Sequence, residues 1–178
     1  MKKYLILYRP FLIFLTKFFL TYLVLTLVYQ AYLSSYDVNS VDFITRFVAY
    51  NTEQLLRFFK VDFLVLNTPK KALILLEYNQ LVVAKMIEGC NSVSVIILFV
   101  SFIVAFSGKL KPTLLYVLGG SIFIYALNVV RIALLCSALY WLPQHKTILH
   151  DVVFPLFIYG VVFVLWVVWV NKFSLYAK

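Results

Sequence analysis

The chain has 178 residues, 64% of them hydrophobic and 19% aromatic, with a net charge of +9 and a mean hydropathy of +0.97. Soluble domains are about 45–50% apolar, so this composition excludes an ordinary soluble domain and points to a single membrane domain over residues 1–178. The basic excess flanks apolar runs and forms no stripe, which excludes a nucleic-acid surface and reads as membrane topology. Cys90 and Cys136 are too few for a disulfide framework and lack metal-ligand spacing, so neither a metal nor another cofactor is expected.

The first apolar run covers 11–33 and is interrupted by Lys17. At about 1.5 Å per residue it is long enough to cross a hydrocarbon core of roughly 30 Å. Lys2, Lys3 and Arg9 precede it, as they would a cleaved signal peptide. The run is long for a signal h-region and no A-x-A site precedes Ser34, so a retained helix is expected. Residues 38–60 read as an amphipathic helix. Val41, Ile44, Val48, Leu55, Leu56 and Phe59 lie near one face, and the pairs Asp42–Arg46 and Glu53–Arg57 lie on the other. Such a helix either rests on the membrane surface or packs onto the rest of the protein.

Short β-rich runs at 61–66, 72–76 and 81–87 are separated by turn-forming polar stretches, which predicts a small antiparallel sheet outside the bilayer. Its apolar content needs a partner surface, so it is expected to cover the site discussed below. Three more spans are expected at 91–107, 113–142 and 152–171. The third contains Arg131 and is ended by Pro143, and Pro155 falls in the first turn of the fourth. Gly119-Gly120 is expected to permit close helix packing. Tyr116, Phe123, Tyr125, Tyr140, Trp141, Trp166 and Trp169 are expected to face lipid or the interface. The fold class is therefore an all-α polytopic membrane protein of about four transmembrane helices, with a small β-containing external segment within 34–89. With the N-terminus inside, segments 1–10, 108–112 and 171–178 carry only basic charges, and all seven acids fall outside.

Arg131 needs an explanation, because Arg at a helix centre costs about 2.5–3.5 kcal/mol and ordinarily faces a partner or a cavity. From Cys90 the chain descends about 17 residues, roughly 26 Å, turns, and climbs about 18 residues, roughly 27 Å, to Arg131. Arg131 thus returns to the depth of Cys90, and His150 stands at the same face before the last span. A thiolate beside a cation is an activated nucleophile. A histidine serves as its base and then as the acid for the leaving amine, and an arginine stabilises an oxyanion. Asn128 lies one turn before Arg131 and is placed to orient it. Plainer readings stand beside these. A lone buried cysteine is ordinarily an inert small hydrophobe, which is how Cys136 reads. Arg131 can snorkel to headgroups, and Asp151 fits the N-cap of the last helix better than an orienter of His150.

The stretch Val83-Ala84-Lys85-Met86-Ile87-Glu88-Gly89-Cys90-Asn91-Ser92, then Asn128-Val129-Val130-Arg131-Ile132, then His150-Asp151, resembles the exosortase/archaeosortase family, and most of all its short Bacteroidota-type members. The resemblance covers roughly residues 81 to 171. It implies a multi-pass protein of the bacterial inner membrane that acts as a cysteine transpeptidase or protease on the extracytoplasmic face. Cys90, Arg131 and His150 match the family's catalytic trio. The implied partners are membrane lipids and exported proteins that end in a sorting tail of short motif, transmembrane helix and basic cluster; an accessory membrane protein is left open. Many members carry Cys-Ser-Gly where this chain has Cys90-Asn91-Ser92, which predicts a different local backbone or substrate motif. The rival reading is a non-catalytic membrane assembly or sorting subunit in which Arg131 pairs with a lipid phosphate or a partner's acid. A lipid- or polysaccharide-handling enzyme lacks a carboxylate pair near the trio, and a transporter lacks enough polar residues within the spans.

Overall fold

Pro10 stands in the first turn of α1 (Arg9–Leu33), where its missing N–H costs nothing, and the helix behind it continues unbroken past Lys17 to Leu33. This is a computed structural model, and it describes residues 8–68, 71–106 and 108–174. After α1 come α2 (Phe43–Phe58), strands β1 (Phe63–Asn67), β2 (Ile74–Tyr78) and β3 (Leu81–Met86), and a 3-10 turn at Glu88–Cys90. Helices α3 (Val93–Ala105) and α4 (Leu110–Trp141) follow, and then α5 (Phe154–Lys172). A corner of 3-10, α and π turns over residues 143–153 leads into α5.

Among the described residues, three helical stretches are long and apolar enough to cross a membrane: Arg9–Leu33, Leu110–Trp141 and Pro143–Lys172. The span expected at 91–107 is shorter than its composition suggests. α3 has 13 residues, about 20 Å of helix, against a core of roughly 30 Å. α4, with 32 residues, is about 48 Å long and outreaches that core.

That length lets α4 serve two separate cores. Toward its start, Ile124 packs with Phe99 and Ile103 of α3 and with Val162 and Trp169 of α5. Further along, Val129, Ile132, Ala133 and Cys136 pack with α2 and with the inner face of the sheet. Only Gly120 of the glycine pair serves close packing. A Cβ there would overlap the Phe99 ring, whereas one on Gly119 would meet nothing within 4 Å. Trp169, expected at the lipid surface, is fully buried. α1 has no buried residue and leans on α3, with Phe14 edge-on to Phe102 and Phe106 at 5.9 and 4.6 Å.

The sheet is antiparallel in the order β1-β2-β3. Asn79 and Gln80 join β2 to β3 with φ of 47° and 64°, the left-handed pair that a tight type I′ hairpin turn requires. Tyr78 stacks on Tyr140 of α4 at 4.6 Å, so the sheet stands against the upper part of α4 as a wall. α2 takes the packed alternative of its two readings: Val48, Ala49 and Leu56 are in the core, while Phe59 is exposed. Asp42 caps α2 by accepting from the Thr45 N–H at 3.0 Å, and Glu53 pairs with Arg57 at 2.8 Å as the spacing predicts.

Gly108 bridges Ser174, which sets the α3–α4 turn beside the end of α5. The Phe14–Phe106 contact brings the start of α1 to the same end. Arg9, Lys109, Lys111 and Lys172 therefore gather at one end of the molecule, while all seven acids lie on elements at the other. Lys2, Lys3 and Lys178 fall outside the described residues.

Candidate functional site

β3 delivers the chain to the tight turn Glu88–Cys90, where the Cys90 N–H donates to Ile87 O at 2.9 Å. Three elements pin this turn. Asn128 of α4, 1% exposed, donates from Nδ2 to the Cys90 carbonyl at 2.9 Å. Asn91, 2% exposed, donates to the Tyr29 hydroxyl of α1 at 2.7 Å and to Thr45 Oγ1 of α2 at 3.0 Å. Its own Oδ1 accepts from the Val93 N–H at 3.0 Å, at the start of α3. Asn128 therefore differs from its expected role: it holds the main chain of Cys90 rather than the side chain of Arg131.

Ser92 sits at φ 64°, ψ 3°, and its buried hydroxyl has no hydrogen-bond partner. A left-handed non-glycine residue costs about 1–2 kcal/mol. The backbone there is the one a glycine prefers, even though the glycine itself is absent. Ser92→Gly is accordingly expected to stabilise the protein by about 1 kcal/mol, seen as a higher thermal midpoint in detergent. A lower midpoint would show that Ser92 makes a favourable contact after all.

His150 lies in the π turn Leu149–Val153, and its Nδ1 is 2.6 Å from Asp151 Oδ1, both side chains being more than half exposed. Asp151 was expected to cap the last helix. The helical path instead runs on from Pro143 through the corner, which leaves no helix start at 151 to cap. A carboxylate on Nδ1 holds the proton there and leaves Nε2 as the basic nitrogen.

Cys90, half-buried, and His150 line one cleft of about 450 Å³, together with Val82 to Lys85 of β3 and Leu139 and Lys146. The volume is that of a ligand pocket. His150 bonds to Asp151 and not to Cys90, so the two share the cleft without a hydrogen bond between them. Arg131 is not among the residues lining the cleft. It lies within electrostatic reach of Cys90 and of Tyr159 on α5, and its Nε is buried with no hydrogen-bond partner. Tyr159 and Lys146 carry no sequence signal that would single them out; folding alone brings them here. Cys136 is fully buried in the core beneath the sheet, and both cysteines are free thiols. Among the described residues no three His, Cys, Asp or Glu converge to hold a metal. A separate cavity of about 290 Å³ lies at the basic end, lined by Phe11, Phe14, Lys17 and Phe106 among others.

A thiol, an imidazole held by a carboxylate, and a nearby guanidinium form a set suited to acyl transfer through a covalent thioester. No family model, curated protein or solved structure matches this chain.

Proposed function

We propose that this chain is an exosortase-like membrane cysteine transpeptidase or protease that removes C-terminal sorting tails from exported proteins. The observation that carries the reading is the common cleft of Cys90 and His150, with the Arg131 charge within reach of the thiol. In the proposed reaction His150 takes the Cys90 proton, and the sulfur attacks the scissile carbonyl to form a C–S bond. Arg131 stabilises the oxyanion of the tetrahedral intermediate. The C–N bond breaks as His150 returns the proton to the departing amine, leaving an acyl thioester. An acceptor amine, or water, then attacks the thioester and regenerates the thiol.

In this reading α3 and the turn before it complete a fourth crossing, and the acidic end of the molecule faces the outside of the bacterial inner membrane. The segregation of Arg9, Lys109, Lys111 and Lys172 at the opposite end supports that orientation.

The test is a processing assay in the host, with the gene deleted and then restored as wild type or Cys90→Ala. Membrane proteins ending in a helix and a basic tail are followed by intact mass. The expected result is tails retained in the deletion and Cys90→Ala strains and removed in wild type, at equal protein level. Normal processing by Cys90→Ala would reject the nucleophile and favour a non-catalytic sorting subunit.

A further inference from the structure

β3 is the last strand of its sheet, and among the described residues no hydrogen bond from outside the sheet reaches Leu81–Met86. The opposite edge differs, because Arg57 Nε donates to the Phe63 carbonyl of β1 at 3.2 Å. Side chains on a strand alternate between faces, so a cavity lying over one face of β3 touches every second residue. The cleft instead touches Val82, Val83, Ala84 and Lys85 in succession. Four consecutive residues bring the main chain of β3, with its bulge, against the cleft. The cleft is therefore bounded by the outer strand of the sheet, whose far edge has no strand partner, and Cys90 lies four residues beyond β3. An exposed edge of this kind pairs readily with another chain. The register shift between Leu76 and Glu77 leaves Val83 as an extra residue on β3, a bulge of the sort that bends an edge and is over-represented beside active sites.

We infer that the outer edge of β3 takes the extended segment of the processed protein as a fourth strand, which carries the scissile bond along the cleft to Cys90. The inference rests on the proposed function and says how that substrate is held. Main-chain pairing binds a polypeptide largely without regard to its side chains. An added strand would present alternate side chains to the cleft and to the surface.

The experiment uses the full-length protein with Cys90→Ala and Lys85→Cys, checked for normal membrane content and thermal midpoint. It is co-expressed with a host protein whose tail the deletion strain retains. Single cysteines are placed one residue at a time through the segment before that protein's tail helix, and disulfides are formed by mild oxidation. The expected cross-linking yield rises and falls with a period of two residues. A period of three to four residues, or no cross-link at any position, would overturn strand addition while leaving the proposed function standing. Disulfides between two Lys85→Cys copies in place of substrate cross-links would also overturn it, because the edge would then be a self-interface. If no host protein retains its tail in the deletion strain, the proposed function fails and this inference fails with it.

Discussion

Arg131→Met is expected to lower tail removal by about 10²–10³-fold, the effect of deleting one oxyanion donor, while leaving the folded protein at least as stable as wild type. The two halves of this result come from the same geometry. Arg131 is half-buried and its Nε has no hydrogen-bond partner, and a charge partly withdrawn from water in this way costs stability. Methionine fills a similar volume without that cost. A residue present for structure behaves the opposite way, so a thermal midpoint in detergent measured beside the processing rate separates the two roles. A large fall in the midpoint would mean that Arg131 anchors the fold and that any loss of processing is secondary. Arg131→Lys keeps the charge but loses the planar fork, and is expected to recover only part of the activity.

Asn91→Leu is expected to destabilise the protein by about 3–5 kcal/mol, a fall of roughly 10 °C in thermal midpoint for a chain of this size. The substitution removes three hydrogen bonds at once and leaves Thr45 Oγ1, the Tyr29 hydroxyl and the Val93 N–H without their partner. Thr45 is completely buried, so water does not replace the loss cheaply. Through the Tyr29 hydroxyl, Asn91 ties α1 to the start of α3, and through Thr45 it ties the same point to α2. α1 should therefore loosen first, detectable as faster proteolysis of the 34–42 connection. An unchanged midpoint would mean that these groups find other partners in the membrane.

The long apolar runs at 11–33, 113–142 and 152–171 were legible because hydropathy needs only composition and length, and α1, α4 and α5 lie where those runs do. The three strands were legible from β-rich runs broken by turn residues. The apolar run 93–106 likewise lies where α3 does; what hydropathy does not register is the backbone before it, the 3-10 turn at Cys90 and the left-handed Ser92, which keeps the helix from reaching the wider bounds 91–107. Of the candidate site, Cys90 and His150 share a cleft, whereas Arg131 does not line it. The target of Asn128 was hidden: helical spacing ties it to Arg131, whereas its hydrogen bond crosses 38 positions to a main-chain carbonyl. Asp151 misled for a similar reason. A cap is inferred from local sequence, and the corner that removes the helix start at 151 is built by packing against α4. Burial of Trp169 likewise depends on Gly108 leaving room for its ring, since a Cβ there would stand 2.7 Å from it.

α4 also acts as a ruler. Leu110 to Arg131 measures about 32 Å of continuous helix, close to the thickness of the hydrocarbon layer. Helices tolerate hydrophobic mismatch by tilting or by deforming the lipid, at fractions of a kcal/mol per Å. In the proposed orientation, acyl-chain length would set how far the Arg131 guanidinium stands from the headgroups. Long-chain lipids would then draw it into the oil and short-chain lipids lift it into the wet interface, so in that orientation the membrane as well as the protein would tune the polarity around the Cys90 turn.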